Sequence, residues 1–138
     1  MRPTGDRAST LLFFPAALLV MVVLAAVTVD FARLHLAQRQ VEDVAAATAN
    51  DAVTVGLDVA ALRSGDDYRL APNRVRSLAA ARAADAALPV ALLARLTDAR
   101  SVTVTASAPV PLAFSRAIPG APQTVTVEGE ARATAHLR

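Results

Sequence analysis

The sequence predicts an α+β protein in which a long N-terminal transmembrane helix extends into a small domain with a second helix and a two- to three-stranded antiparallel sheet. Three observations lead to this prediction. No charged residue occurs from Ser9 to Val29. Apolar residues then keep a helical spacing, without Gly or Pro, until Gly56. After Asp98 the apolar period changes from 3.6 residues to 2, which is typical of strands.

The apolar span from Leu11 to Val29 has 19 residues, which at about 1.5 Å per residue cover roughly 28 Å, close to the thickness of a bilayer core. A buried core helix is one alternative, but a domain this small cannot surround such a helix on every face. A cleaved signal peptide is the other. Its apolar region is normally shorter and precedes a small-x-small site, for which Val23 and Ala25 are a weak substitute.

Charges that flank the span predict its orientation. Arg2 and Arg7 precede it and Asp30 follows it at once, which favours a cytoplasmic N-terminus and an extracytoplasmic C-terminal domain in the cell membrane. We therefore divide the chain into a cytoplasmic leader, a transmembrane helix, an extracytoplasmic helix extension and a small extracytoplasmic α+β domain, over residues 1–10, 11–29, 30–56 and 57–138.

One helix is expected from about Thr10 to Val55, ended by Gly56. Its alanine-rich segment Val44–Ala52 suits close packing against another helix. Alanine also favours helix for its own sake, and both explanations stay open. The positions with helical spacing are Val27, Phe31, Leu34, Val41, Val44, Thr48, Ala52 and Val55.

Beyond this helix, the sequence Ser64–Asp67 predicts a solvated turn rather than a cation site, because no EF-hand spacing follows its two acids. Pro72 begins a second helix that is expected to run to about Leu88, where Pro89 interrupts it. After this proline we expect a short apolar helical turn formed by Leu92, Leu93 and Leu96.

Strict alternation predicts strands over Ser101–Ser107 and Thr124–Leu137, each with one buried and one wet face. The segment Pro109–Phe114 between them holds two prolines, which limits it to an edge strand or a loop. Ile118-Pro119-Gly120 predicts a turn. The simplest assembly packs this sheet against the long helix.

Composition excludes several kinds of function. All 14 basic residues are Arg and the net charge is +2, but the arginines are interleaved with acids and form no basic stripe, so nucleic acid is not an expected partner. Cysteine is absent. His35 and His136 have no second ligand at metal-binding spacing. No catalytic motif occurs, and we expect neither an enzyme, nor a cofactor or metal, nor a small-molecule substrate.

The chain resembles pilin-like proteins, and more closely the TadE/TadG-like proteins of Flp (tight adherence) pilus loci of the actinobacterial type. The resemblance is carried by Val29–Arg33, by Arg39–Ala45 and by the run Ala46–Ala52, which match an acid at the membrane exit, a basic residue and a polar, Ala-rich helix. The segment Val110–Gly120 and the alternating strand after it are also similar to the C-termini of that family.

This resemblance implies a pilin-like fold and a minor pilin or pseudopilin-like subunit that acts through helix packing, with the bilayer, other pilin-like subunits and pilus or secretion assembly proteins as partners. It also implies prepilin processing between Gly5 and Asp6, although the family has Glu at the fifth mature position and this chain has Thr10. The candidate partner-packing residues are Asp30, Phe31, Leu34, Arg39, Val41 and Val44. The alternative is a membrane-anchored accessory or binding domain that never enters a filament.

Overall fold

The computed structural model describes residues 6–65, 69–115 and 119–136, and of residues 6–12 it describes the backbone alone. Within these residues, three helices precede three strands, and the strands form one antiparallel sheet in the order β1-β2-β3. The α+β prediction is therefore confirmed, with three strands. The elements are α1 (Asp6–Val55), α2 (Val59–Arg63), α3 (Pro72–Asp85), β1 (Ala91–Leu96), β2 (Ser101–Pro111) and β3 (Thr124–Thr134).

Helix α1 runs for 50 residues, about 75 Å at the usual rise of 1.5 Å per residue. It includes Pro15 and begins before the predicted start. It ends as predicted at Gly56, whose N–H donates to the Ala52 carbonyl at 3.0 Å. A Cβ at this position would lie 2.2 Å from the same carbonyl oxygen, so the chain can leave the helix along this path only at a glycine.

The N-terminal part of α1 has the character of a membrane anchor. Within the described chain it is the one helix long and apolar enough to cross a membrane, and only 6% of its most apolar window is buried. A core helix of a soluble domain would instead be mostly buried. The structure is thus consistent with a single-pass anchor near the N-terminus.

The C-terminal part of α1 packs on the sheet. Every third or fourth residue from Ala37 to Ala52 is buried, which is the spacing of one helix face. This face meets the even-numbered residues of β2, while odd-numbered residues of β3 such as Val127 and Ala133 complete the layer. The alternation predicted for both strands is confirmed. The buried β2 residues are Val102, Val104, Ala106, Ala108 and Val110.

Helix α3 lies beside α1 and over β1, where Val75 and Ala79 are buried. It starts at Pro72 as predicted, but it ends at Asp85 rather than near Leu88. The residue before a proline avoids helical backbone angles. Leu88 stands before Pro89 and lies beyond the helix end.

The helical turn predicted for Leu92, Leu93 and Leu96 is wrong, since these residues belong to β1. Leu92 pairs with Ala106 and Leu96 with Val102. The side chains alternate between the helices and solvent, and Leu93 is 52% exposed. Leucine and alanine favour helix in isolation, but pairing with β2 and burial against α3 decide the local structure.

Pro109 and Pro111 lie inside β2, where they pair with Thr126 and Thr124 of β3. The β1 pairing ends earlier, at the pair Ala91–Ser107. This end of β2 is thus a local sheet edge, as proline requires. The predicted turns contain Gly65 and Gly120, both at positive φ. Asp66, Asp67, Ile118 and Leu137 lie outside the described residues.

Helix and sheet approach closely where β3 crosses α1 at Gly129. A Cβ on Gly129 would lie 3.0 Å from the backbone nitrogen and 3.1 Å from the Cα of Glu42. One turn earlier, the Gln38 side chain donates a hydrogen bond of 2.8 Å to the Glu128 carbonyl. The glycine therefore sets the distance between the two layers.

Replacing Gly129 by Ala should destabilise the domain by about 1–3 kcal/mol, because backbone atoms of α1 must move to admit the methyl group. Thermal unfolding of the detergent-extracted chain, followed by circular dichroism, measures the effect. Glu130→Ala, on the solvent face of the same strand, is the control and should change little. Equal unfolding midpoints for the two variants would contradict the close contact.

Candidate functional site at the membrane exit

Asp30 is the first charged residue after the apolar span, and it binds a loop of the same chain. Its Oδ1 accepts the Ala113 N–H at 2.8 Å, and its Oδ2 accepts the Phe114 N–H at 3.1 Å. Hydrogen bonds to a carboxylate are stronger than those between neutral groups. The link joins the β2–β3 loop (residues 112–123) to the helix at the end of the span.

A crevice of about 420 Å³ opens between the last turns of the span and this loop. Ala26 lies on the helix wall and is 7% exposed, whereas Val22, Val23 and Val27 are each more than half exposed. Asp30 and Ser115 are its polar lining residues. The lining residues are Val22, Val23, Ala26, Val27, Asp30, Phe31, Leu34, Leu112, Phe114 and Ser115.

The six candidate partner-packing residues divide into two groups. Val41 is fully buried, and Leu34 and Val44 pack against the same core. With Asp30 bonded to the loop, four of the six make contacts within this chain. Phe31, 72% exposed, and Arg39, also exposed, lie on the helix surface.

An exposed strip of α1 remains beside the sheet. It carries the apolar side chains of Phe31 and Leu36, the latter 61% exposed, then the exposed Arg39, and further along the exposed Ala46 and Ala47. The alanine-rich segment is therefore shared between two surfaces. Its buried alanines contact the sheet, and its exposed ones leave a shallow surface on which another helix can approach closely.

Other charged groups form ion pairs and hydrogen bonds at the end of the domain that is farther from the apolar span. Arg82 of α3 pairs with Asp51 of α1. The Ala61 N–H, with Arg69 at 3.2 Å, holds the pKa of Asp58 below its ordinary value. The Arg100 N–H does the same for the pKa of Asp98 in the β1–β2 turn. These acids stabilise turns and helix ends.

Neither histidine joins a metal site in the described part of the chain, where no group of three His, Asp or Glu side chains is placed to hold a metal ion. His35 and His136 are both exposed. Of the candidate processing site, Gly5 lies outside the described residues, and Asp6 is the first residue of α1.

The loop residues Leu112–Ser115 were not predicted to take part in the site. The sequence offers no signal that pairs them with Asp30, which lies 83 residues from Ala113. An acid at the end of an apolar helix and an apolar, proline-containing segment are both visible in the sequence, but only the register of β2 on α1 brings them together.

Comparison with protein-family models, with curated proteins and with solved structures gives no match.

Replacing Asp30 by Ala should free the loop, because the Ala113 and Phe114 N–H groups lose their acceptor. Amide hydrogen exchange of these two residues, followed by mass spectrometry, should become faster. Asp43→Ala, at an exposed acid of the same helix, is the matched control and should leave both rates unchanged. Unchanged exchange in Asp30→Ala would mean that the carboxylate does not hold the loop.

Proposed function

We propose that this chain is a minor pilin or pseudopilin-like subunit that takes part in assembling a Flp-type (tight adherence) pilus or a related secretion system. The observation that supports this most directly is the continuity of α1. One unbroken helix provides both the apolar anchor and the surface on which the sheet packs. The resemblance to TadE/TadG-like proteins rests in part on the same helix, and in part on Val110–Gly120 and the strand after it.

In this proposal the chain acts by packing rather than by chemistry. The exposed strip of α1 contacts the helices of other pilin-like subunits in and above the membrane. Phe31 supplies apolar area at the membrane exit, Arg39 supplies a charge for pairing, and Ala46 and Ala47 allow close approach. The N-terminus lies in the cytoplasm and the domain lies outside, in agreement with Arg2, Arg7 and Asp30.

A second candidate is a membrane-anchored extracytoplasmic accessory or binding domain that stays out of the filament. Two observations favour it. Four of the six candidate packing residues contact the chain's own sheet or loop, which leaves a narrower surface for subunits. Thr10 also occupies the position at which processed family members carry Glu.

The mature N-terminus separates these candidates. Intact mass of the membrane-extracted protein from its native host should give a start at Asp6 if prepilin processing occurs. A start at Met1 fits the accessory domain and argues against an ordinary pilin. A start beyond Ala25 would mean that the span is a cleaved signal peptide, and both candidates would fail.

Reversing the charge of Arg39 with Arg39→Glu should reduce the amount of this chain in sheared filaments, because Arg39 lies on the exposed strip. Arg95→Glu makes the same charge change on the solvent face of β1 and should have little effect. Immunoblots of filament and membrane fractions in the native host measure both. Equal incorporation of the two variants, with unchanged piliation, would favour the accessory domain.

A further inference from the structure

The start of the β2–β3 loop, Leu112–Ser115, lies beside the last turns of the apolar span. Val22 and Asp30 both line the crevice and are eight residues apart in α1, which corresponds to about 12 Å along the helix axis. Leu112 and Phe114 line the opposite wall. The loop therefore stands next to side chains that face lipid in a membrane-anchored chain.

The backbone of the described loop start suits a position beside lipid. Irregular backbone in hydrocarbon is costly unless its N–H groups find partners. Pro109 and Pro111 have no N–H, and the Leu112 N–H donates to the Gln123 carbonyl at 2.9 Å. Asp30 accepts the next two N–H groups, from Ala113 and Phe114. From Pro111 to Phe114 the backbone N–H groups are thus absent or satisfied.

The side chains of the loop start also suit a position beside lipid. Phe114 is 44% exposed at the crevice, and the loop start from Leu112 to Ser115 contains no charged residue. Both carboxylate oxygens of Asp30 already accept loop N–H groups, so the crevice presents mainly hydrocarbon to an occupant. Its volume lies within the range of about 300–1,000 Å³ that is usual for pockets that hold small ligands.

We propose that the start of the β2–β3 loop, Leu112–Ser115, inserts into the outer part of the bilayer and that the crevice between Ala26 and Phe114 holds a lipid acyl chain. The crevice is continuous with the lipid-facing surface of the span, so an acyl chain enters it sideways without leaving the hydrocarbon. Asp30 sets the depth of the loop. This inference depends on the membrane anchor and not on assembly into a filament.

A fluorescent reporter tests the proposal directly, because the sequence contains no tryptophan. The full chain with Phe114→Trp is reconstituted in phosphatidylcholine vesicles, with and without bromine on the acyl chains. We expect blue-shifted emission and strong quenching by the brominated lipid. Leu93→Trp is the control. It replaces an apolar residue of similar exposure on the solvent face of β1, paired with Thr105, and should emit at longer wavelength without quenching.

Adding Asp30→Ala to the Phe114→Trp chain should reduce the quenching, because the loop is no longer held at its depth. Equal emission and equal lack of quenching at positions 114 and 93 would overturn the proposal. Blue-shifted emission that is insensitive to brominated lipid and disappears on dilution into more lipid would overturn it in favour of a second copy of the chain. Vesicles that contain this chain alone lack the other subunits, so these outcomes are separate from filament incorporation in the native host.

Discussion

The close contact between the small-residue face of α1 and the sheet determines the rest of the structure. The helix side of this contact consists largely of residues whose side chain is a single methyl group: Ala37, Ala45, Ala49 and Ala52. Gly129 has no side chain at the point where β3 crosses the helix. The strands can therefore run along the helix at short range. The valines of β2 fill the layer between them. Larger residues on either side would push the sheet away and separate the loop from the membrane exit.

This way of packing has an energetic limit. Burial of apolar area contributes about 25 cal/mol per Å², and alanine and valine each bury little area. The largest fully buried side chains are valines and one threonine, Thr48, whose hydroxyl donates to the Val44 carbonyl at 2.7 Å. The domain depends on many small contacts along one long helix, and so the helix is an integral part of its core.

Much of this fold follows from local patterns in the sequence. The long helix and its end at Gly56 follow from apolar spacing and the absence of breakers, and the two long strands follow from strict alternation. The strand β1 could not be predicted in the same way, because a six-residue run of Ala, Leu and Arg fits either a helical turn or a strand. Its partner in β2 decides between them.

The site was less accessible to prediction, since it depends on contacts between distant segments. The sequence identifies Asp30 as a charge at the end of an apolar span, but not the loop that binds it. Periodicity also identifies an alanine-rich helix without telling which alanines face the sheet. Ala45 and Ala46 look alike in the sequence, and only the position of the sheet makes Ala45 core and Ala46 surface.

The absence of a hinge between anchor and domain has a mechanical consequence. Neither Gly nor Pro interrupts α1 between Pro15 and Gly56, and the sheet and loop are bound along its length. From Asp30 to Val55 the helix extends about 38 Å at 1.5 Å per residue. The domain therefore follows the direction of α1, and a change in the tilt of the span displaces the far end of the domain sideways. A sideways force on that end acts in turn as a torque on the bilayer.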